Sequence, residues 1–213
     1  MIAYAFLAKG AVEPLSGFAW PTPKQGERGV WVDAEAAHDE VLRGYPAEDL
    51  PYWLDEELWN IELAGMRAER DHLLLAERAR LLAWIDSWTD PLAWELVTAC
   101  ARRVAGQAAI ALRDDGRGDE AARLERASDL GELELTASSA ADNLGAAGRL
   151  AGSVADVCFY ARDARVGARA AGVAAKMSAY ALAGEVKDER GFDERLTKER
   201  AWQAAWLVDR LGL

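Results

Sequence analysis

The chain is poor in the residues that most often carry chemistry, with two cysteines and two histidines among 213 residues. Cys100 and Cys158 are too few for a disulfide framework and lack metal-ligand spacing. His38 and His72 each lack a nearby partner, which argues against a histidine-rich metal site and against a Ser-His-Asp triad. No GxSxG, P-loop, GxGxxG or CxxC is present, so nucleotide and redox cofactors have no sequence support and no cofactor or metal is expected. Long apolar runs are missing as well. The alanine-rich run 137–184 is broken by Asp142, Arg149, Asp156, Arg162, Asp163, Arg165, Arg169 and Lys176, which excludes a bilayer span there. The opening MIAYAFLAKG has no basic n-region and no apolar h-region long enough for a signal peptide. The expectation is a cytoplasmic, reduced, soluble protein. Positive charge is also in short supply: Lys+Arg total 25 against Asp+Glu 36, a net charge of −11. That balance argues against a grip on nucleic-acid phosphates or on anionic lipid.

What is abundant is alanine, 44 residues, and tryptophan, 9 residues beside 4 Phe and 5 Tyr. Alanine at that density predicts closely packed helices. Tryptophan predicts large rigid faces that need cover. The two are segregated. Trp20, Trp31, Trp53, Trp59, Trp84 and Trp88 precede Asp90, and most of the alanine follows it.

The first part, 1–89, reads as short strands and turns. Ile2–Leu7 is apolar with a β bias, and Trp59, Ile61 and Leu63 alternate with Asn60 and Glu62 at the strand period of two. His72–Leu75 is expected to pair with that strand across a turn at Gly65–Arg70. Glu48–Leu54 reads as a short helical turn. The second part, 90–213, reads as helical. Thr89, Asp90 and Pro91 predict a helix start, and Leu92, Leu96, Cys100, Val104 and Ala108 give that helix a core stripe. Asp119–Ser128 predicts a short charged helix, and 133–183 a long helical region whose glycines at 145, 148, 152, 167 and 172 point either to close helix–helix approach or to breaks between two helices. The final helix is expected from Asp193 to Leu211, with Asp193 as its cap and Leu196, Trp202, Trp206 and Leu207 as its apolar face. The fold class is therefore α+β: a small N-terminal antiparallel sheet of three to five strands, then a bundle of about five helices, with the last packing back on the sheet.

Several residue groups are candidates for chemistry. Asp142, Arg149, Asp156 and Asp163 are spaced by sevens and form one stripe if they share a helix. Asp142 and Asp156 are candidate acid and base, Tyr160 a further one, and Arg149 a holder of an anionic group. His72 is either a core-edge residue or a base. The acidic stretch Asp114–Glu120 reads as a solvated loop, since its glycines and Arg117 interrupt any ligand array. Trp53, Trp59, Trp202 and Trp206 are candidates for a substrate-binding lining at the seam of the two parts.

PAEDLPYWLDEELWNIELAG (46–65), ERAWQAAWLVDRLGL (199–213) and the opening AYAFLAKGAVEPLSGFAWP resemble an uncharacterised group of actinobacterial proteins. Members of that group tend to carry a Cys-x-x-Gly-x-His-like segment just before the first stretch, where this chain has His38–Tyr45 instead. The resemblance implies an actinobacterial origin and a shared fold, and it supplies no catalytic residues.

The functional expectation is a small-molecule enzyme without metal or redox cofactor. It would be a cyclase or isomerase of secondary metabolism acting on an apolar or aromatic substrate through shape and one placed acid or base. The alternative is a non-catalytic acidic interaction protein, immunity-like or regulatory, docking on a basic partner. A homodimer that buries exposed aromatics is the third reading.

Overall fold

The computed structural model describes residues 1–24, 26–37, 40–142, 145–184 and 188–213. They group into two compact units, Met1–Asp90 with Ala204–Leu213, and Pro91–Gln203. An N-terminal antiparallel sheet of five strands is followed by helices, an α+β chain that is mostly helical.

In the first unit, β1 (Ile2–Leu7) pairs antiparallel with β4 (Glu57–Arg70), and β4 with β5 (Leu73–Trp84). The outer edge of β5 takes the short strands β2 (Val32–Asp33) and β3 (Leu42–Gly44). The sheet also rolls back on itself. Just after β3, Tyr45 N donates to Tyr4 O at 2.8 Å, and Tyr4 N donates to Tyr45 O at 2.9 Å. This gives β1 a second edge partner. Gly44 stands where the roll is tightest: an added Cβ would meet Ile61 Cδ1 at 2.8 Å and Leu63 Cδ1 at 3.0 Å. The expected alternation holds, with Trp59, Ile61 and Leu63 buried between half-buried Asn60 and Glu62. They pack with Leu7, Trp20, Leu42, Leu74 and Leu81.

The expected turn at Gly65–Arg70 is instead strand. Gly65 takes a positive φ of 66° beside an irregularity between Met66 and Ala68, and the reversal comes at Asp71-His72. Both turn residues adopt left-handed φ, 51° and 67°, the geometry that hairpins usually fill with Asn-Gly. A side chain in that region strains the backbone, and contacts of His72 hold it there. We predict that His72→Gly is about 1 kcal/mol more stable than His72→Ala, since both lose the imidazole and only glycine relaxes the backbone. Urea unfolding of the two variants measures the difference.

The second unit begins with α1 (Asp90–Asp114 by its hydrogen bonds), whose Leu96, Cys100, Val104, Ala108 and Leu112 are all buried. Then come α2 (Gly118–Arg126) and α3 (Leu130–Ala140). Asp129 caps α3 by accepting from Glu132 N at 2.9 Å, and Glu132 Oε2 in return accepts from Ser128 N at 2.7 Å. The second bond reaches the residue before the cap, a variant of the capping-box arrangement, and the Ser128 donors hold the Glu132 carboxyl below its usual range. The helical region expected over 133–183 is divided, one of the two readings its glycines allow. α4 runs Ala146–Asp163 and α5 runs Gly167–Ala183. The reversal between them is made at Ala164–Val166, where Arg165 has a φ of 60°. Consecutive helices pack in pairs, α2 on α3, α3 on α4 and α4 on α5. The buried face of α5 is almost wholly alanine and glycine, which permits that closeness. α6 (Glu189–Leu211) starts earlier than expected, with Asp188 rather than Asp193 at its head, where Asp188 Oδ1 accepts from Gly191 N at 2.8 Å. Its end, Ala204–Leu213, belongs to the first unit.

Candidate functional site

Four buried residues with polar or charged side chains stand out in this alanine-rich protein: Ser178, Glu199, Arg200 and Gln203. All four fall in one place in the second unit, between α5 and α6. Gln203 Nε2 donates to Ala175 O at 2.9 Å and to Ser178 Oγ at 3.2 Å. Its Oε1 accepts from Arg200 Nη1 at 3.0 Å. One step along α6, Glu199 Oε2 accepts from Arg103 Nε of α1 at 2.5 Å. The Arg103 guanidinium lies over the Trp202 ring, 4.4 Å from its centroid, a cation–π contact that fixes the plane of the fork.

Glu199 is the unusual member. Its side chain is 3% exposed, and Oε1 has no hydrogen-bond partner among the described residues. Burial pushes its carboxyl above the usual range, while Arg103 and Arg200 pull the other way. The net direction is upward, so desolvation outweighs the ion pair. A buried acceptor without a donor is costly, and a proton on it removes the charge.

Glu199 forms part of the wall of an open groove of about 190 Å³ with Arg103, Gln107, Leu182, Arg195 and Lys198. Arg195 and Lys198 are exposed and make no ion pair among the described residues. The groove therefore gathers three cations on a chain of net charge −11. Chemically it can hold a negative group beside a carboxyl whose hold on its proton is raised.

The residues singled out from the sequence are scattered. Asp142 lies before α4 rather than on it, so the stripe of sevens is not carried by one helix. Its Oδ2 accepts from Arg117 Nη1 at 2.6 Å, and the same guanidinium donates to Ala140 O at 2.7 Å and pairs with Glu120. Asp142 thus ties together the chain segments around α2, α3 and α4. Arg149, Asp156, Tyr160 and Asp163 are exposed on α4, where Tyr160 meets the exposed Phe159 edge to face. Of the acidic stretch 114–120, Asp114 ends α1, 115–117 form the loop and Gly118 already opens α2, so the loop is shorter than expected.

In the first unit, His72 and Trp53 come together. His72 Nδ1 lies 2.7 Å from Asp49 Oδ1, its ring stacks on Tyr52 at 3.7 Å, and Trp53 Nε1 donates to His72 O at 3.1 Å. Trp53 in turn stacks on Tyr45, whose burial raises its hydroxyl pKa. These contacts anchor the strained turn. Trp59 is a core residue there, its Nε1 held by Glu57 at 3.2 Å. Trp206 lies under Arg210. Only Trp202 joins the groove, and it does so through Arg103. His38 lies outside the described residues. Burial pushes the thiols of Cys100 and Cys158 up to about 12, which keeps both as packing residues.

The sequence reading missed Glu199, Arg200 and Gln203. It placed the inner face of α6 on Leu196, Trp202, Trp206 and Leu207, whereas both tryptophans are half-buried. Counting back from Leu211 and Leu207 by threes and fours reaches 204, 203, 200, 199 and 196. That spacing was the available signal that charged residues occupy the buried stripe.

Among the described residues, no group of three or more His, Cys, Asp or Glu side chains stands together to hold a metal ion, and no helix is long and apolar enough to cross a membrane. No family model, curated protein or solved structure matches the chain.

Proposed function

We propose that the chain is an acid–base enzyme of the isomerase type, with Glu199 as its proton carrier and the groove of the second unit as its substrate site. The observation that supports this reading is the Glu199 carboxyl. It is buried, held by Arg103 on one oxygen, unpartnered on the other and raised toward its protonated form. A carboxyl used as a general acid needs this tuning, because an ordinary glutamate has lost its proton at neutral pH. Arg103 keeps the carboxyl oriented, and Trp202 keeps Arg103 oriented. The substrate is a small molecule with an acidic C–H beside a carbonyl. Glu199 donates its proton to the carbonyl oxygen, the Glu199 carboxylate so formed takes the proton from the neighbouring carbon, and the product is the neutral enol, an isomer of the ketone; reversal of the two steps returns a solvent-exchanged proton to that carbon.

The test follows from that step. Aryl-substituted 2-oxo acids and aryl ketones are incubated with the protein in D₂O, and deuterium incorporation at the carbon next to the carbonyl is read by NMR. The reading requires catalysed exchange with at least one compound and its loss in Glu199→Gln. Equal exchange by both proteins removes Glu199 from the mechanism.

A further inference from the structure

We infer that the groove formed by Arg103, Gln107, Leu182, Arg195, Lys198 and Glu199 binds the carboxylate group of a small organic anion, and that a proton is taken up with it. The inference rests on the acid–base reading of the same groove and names its substrate class.

Three features point to a carboxylate. First, the Arg103 fork already holds one: Glu199 Oε2 sits on Nε at 2.5 Å, and planar forks match planar carboxylates in geometry. Arg103 is 40% exposed and lines the groove, and no ion pair other than the one to Glu199 is made by it among the described residues. Second, Arg195 and Lys198 line the groove with no ion pair among the described residues. Their charge is not spent on the protein's own acids, although 36 Asp and Glu are present. Third, Leu182 gives the groove one apolar wall, and the volume of about 190 Å³ suits one ring and one small polar group.

The proton follows from the neighbours of Glu199. On its own helix Arg200 acts on its charge, from α1 Arg103 and the thiol of Cys100 do so, and from α5 the Ser178 hydroxyl is close by in the network, while Arg195 and Lys198 line the same groove. An anion that engages Arg103 withdraws positive charge from Glu199 and adds negative charge beside it. Both changes favour the protonated carboxyl. The proton comes from solvent, and no bond in the ligand changes on binding.

Calorimetric titration of the full chain with sodium benzoate tests this, with benzyl alcohol as the neutral control. The expected result is saturable one-to-one binding of benzoate, with none for benzyl alcohol. Affinity should fall at least about tenfold in the Arg195→Ala, Lys198→Ala double variant, each charge-assisted contact being worth that much. Heats measured in two buffers of different ionisation enthalpy should show proton uptake in the wild type and none in Glu199→Gln. Absence of saturable benzoate binding overturns the inference, as does binding that the double variant leaves unchanged. Benzoate binding with no catalysed exchange on any compound would leave the anion site standing and the enzyme reading fallen. Glu199-dependent exchange without benzoate binding would do the reverse.

Discussion

Glu199→Gln lowers catalysed C–H exchange by a factor on the order of 10²–10⁴, the usual contribution of one placed acid or base. The variant keeps the shape and the polar character of the side chain, and the amide oxygen can still accept from Arg103. What it removes is the proton. The loss should therefore appear in kcat, with little change in KM, because an interaction lost only in the transition state leaves substrate binding in place. A rise in KM with kcat unchanged would make Glu199 a binding residue. Arg103→Lys is the companion variant. Lysine keeps the charge and loses both the fork and its flat stack on Trp202. It should bind anions more weakly while retaining exchange at saturating substrate.

Gly148→Ala is the substitution with the largest expected effect on stability, a loss of about 3 kcal/mol. An added Cβ would overlap the Asp142 carboxylate and lie 2.5 Å from the Asp142 backbone oxygen. A side chain can swing aside, but a backbone oxygen moves only with the chain that carries it. Asp142 would have to leave Arg117, which also holds Ala140 O and Glu120. Gly106→Ala is the control. Gly106 lies in α1 with nothing within 4 Å of an added Cβ, so the change should stabilise by about 1 kcal/mol through helix propensity alone. Urea midpoints that move in opposite directions would confirm the pair. A neutral Gly148→Ala would mean that the Asp142 segment is not fixed where it lies.

The strands were the most legible part of the sequence. β1 spans the expected Ile2–Leu7, and the alternation through Trp59–Leu63 reports a sheet with one buried face. The hairpin tip was not legible, because Asp71-His72 carries no turn signature and the strain there is carried by contacts far along the chain, to Asp49 and Tyr52. Gly65, which resembles a turn residue, serves a strand irregularity instead. The breaks between α3, α4 and α5 were legible only in part, through Gly145 and Gly167 at the heads of α4 and α5. Alanine suits a helix interior and the extended loop at Ala141 alike, and no proline marks either break. The buried polar cluster was not legible because composition weights a charged run such as Lys198-Glu199-Arg200 toward solvent. Position on the helix decided otherwise, since 199, 200 and 203 share the stripe that ends in Leu207 and Leu211. Asp156 and Tyr160 show the converse, polar groups amid small residues that the helix turns outward.

The central claim is that Glu199 is a buried carboxyl tuned toward its protonated form. Carbon-13 NMR of the chain labelled at glutamate carboxyls reads it directly, with the Glu199 signal assigned by its disappearance in Glu199→Gln. The account predicts that this signal titrates above the exposed glutamates and moves further up when benzoate is added. A Glu199 carboxyl that titrates among the exposed glutamates, with or without benzoate, would contradict it.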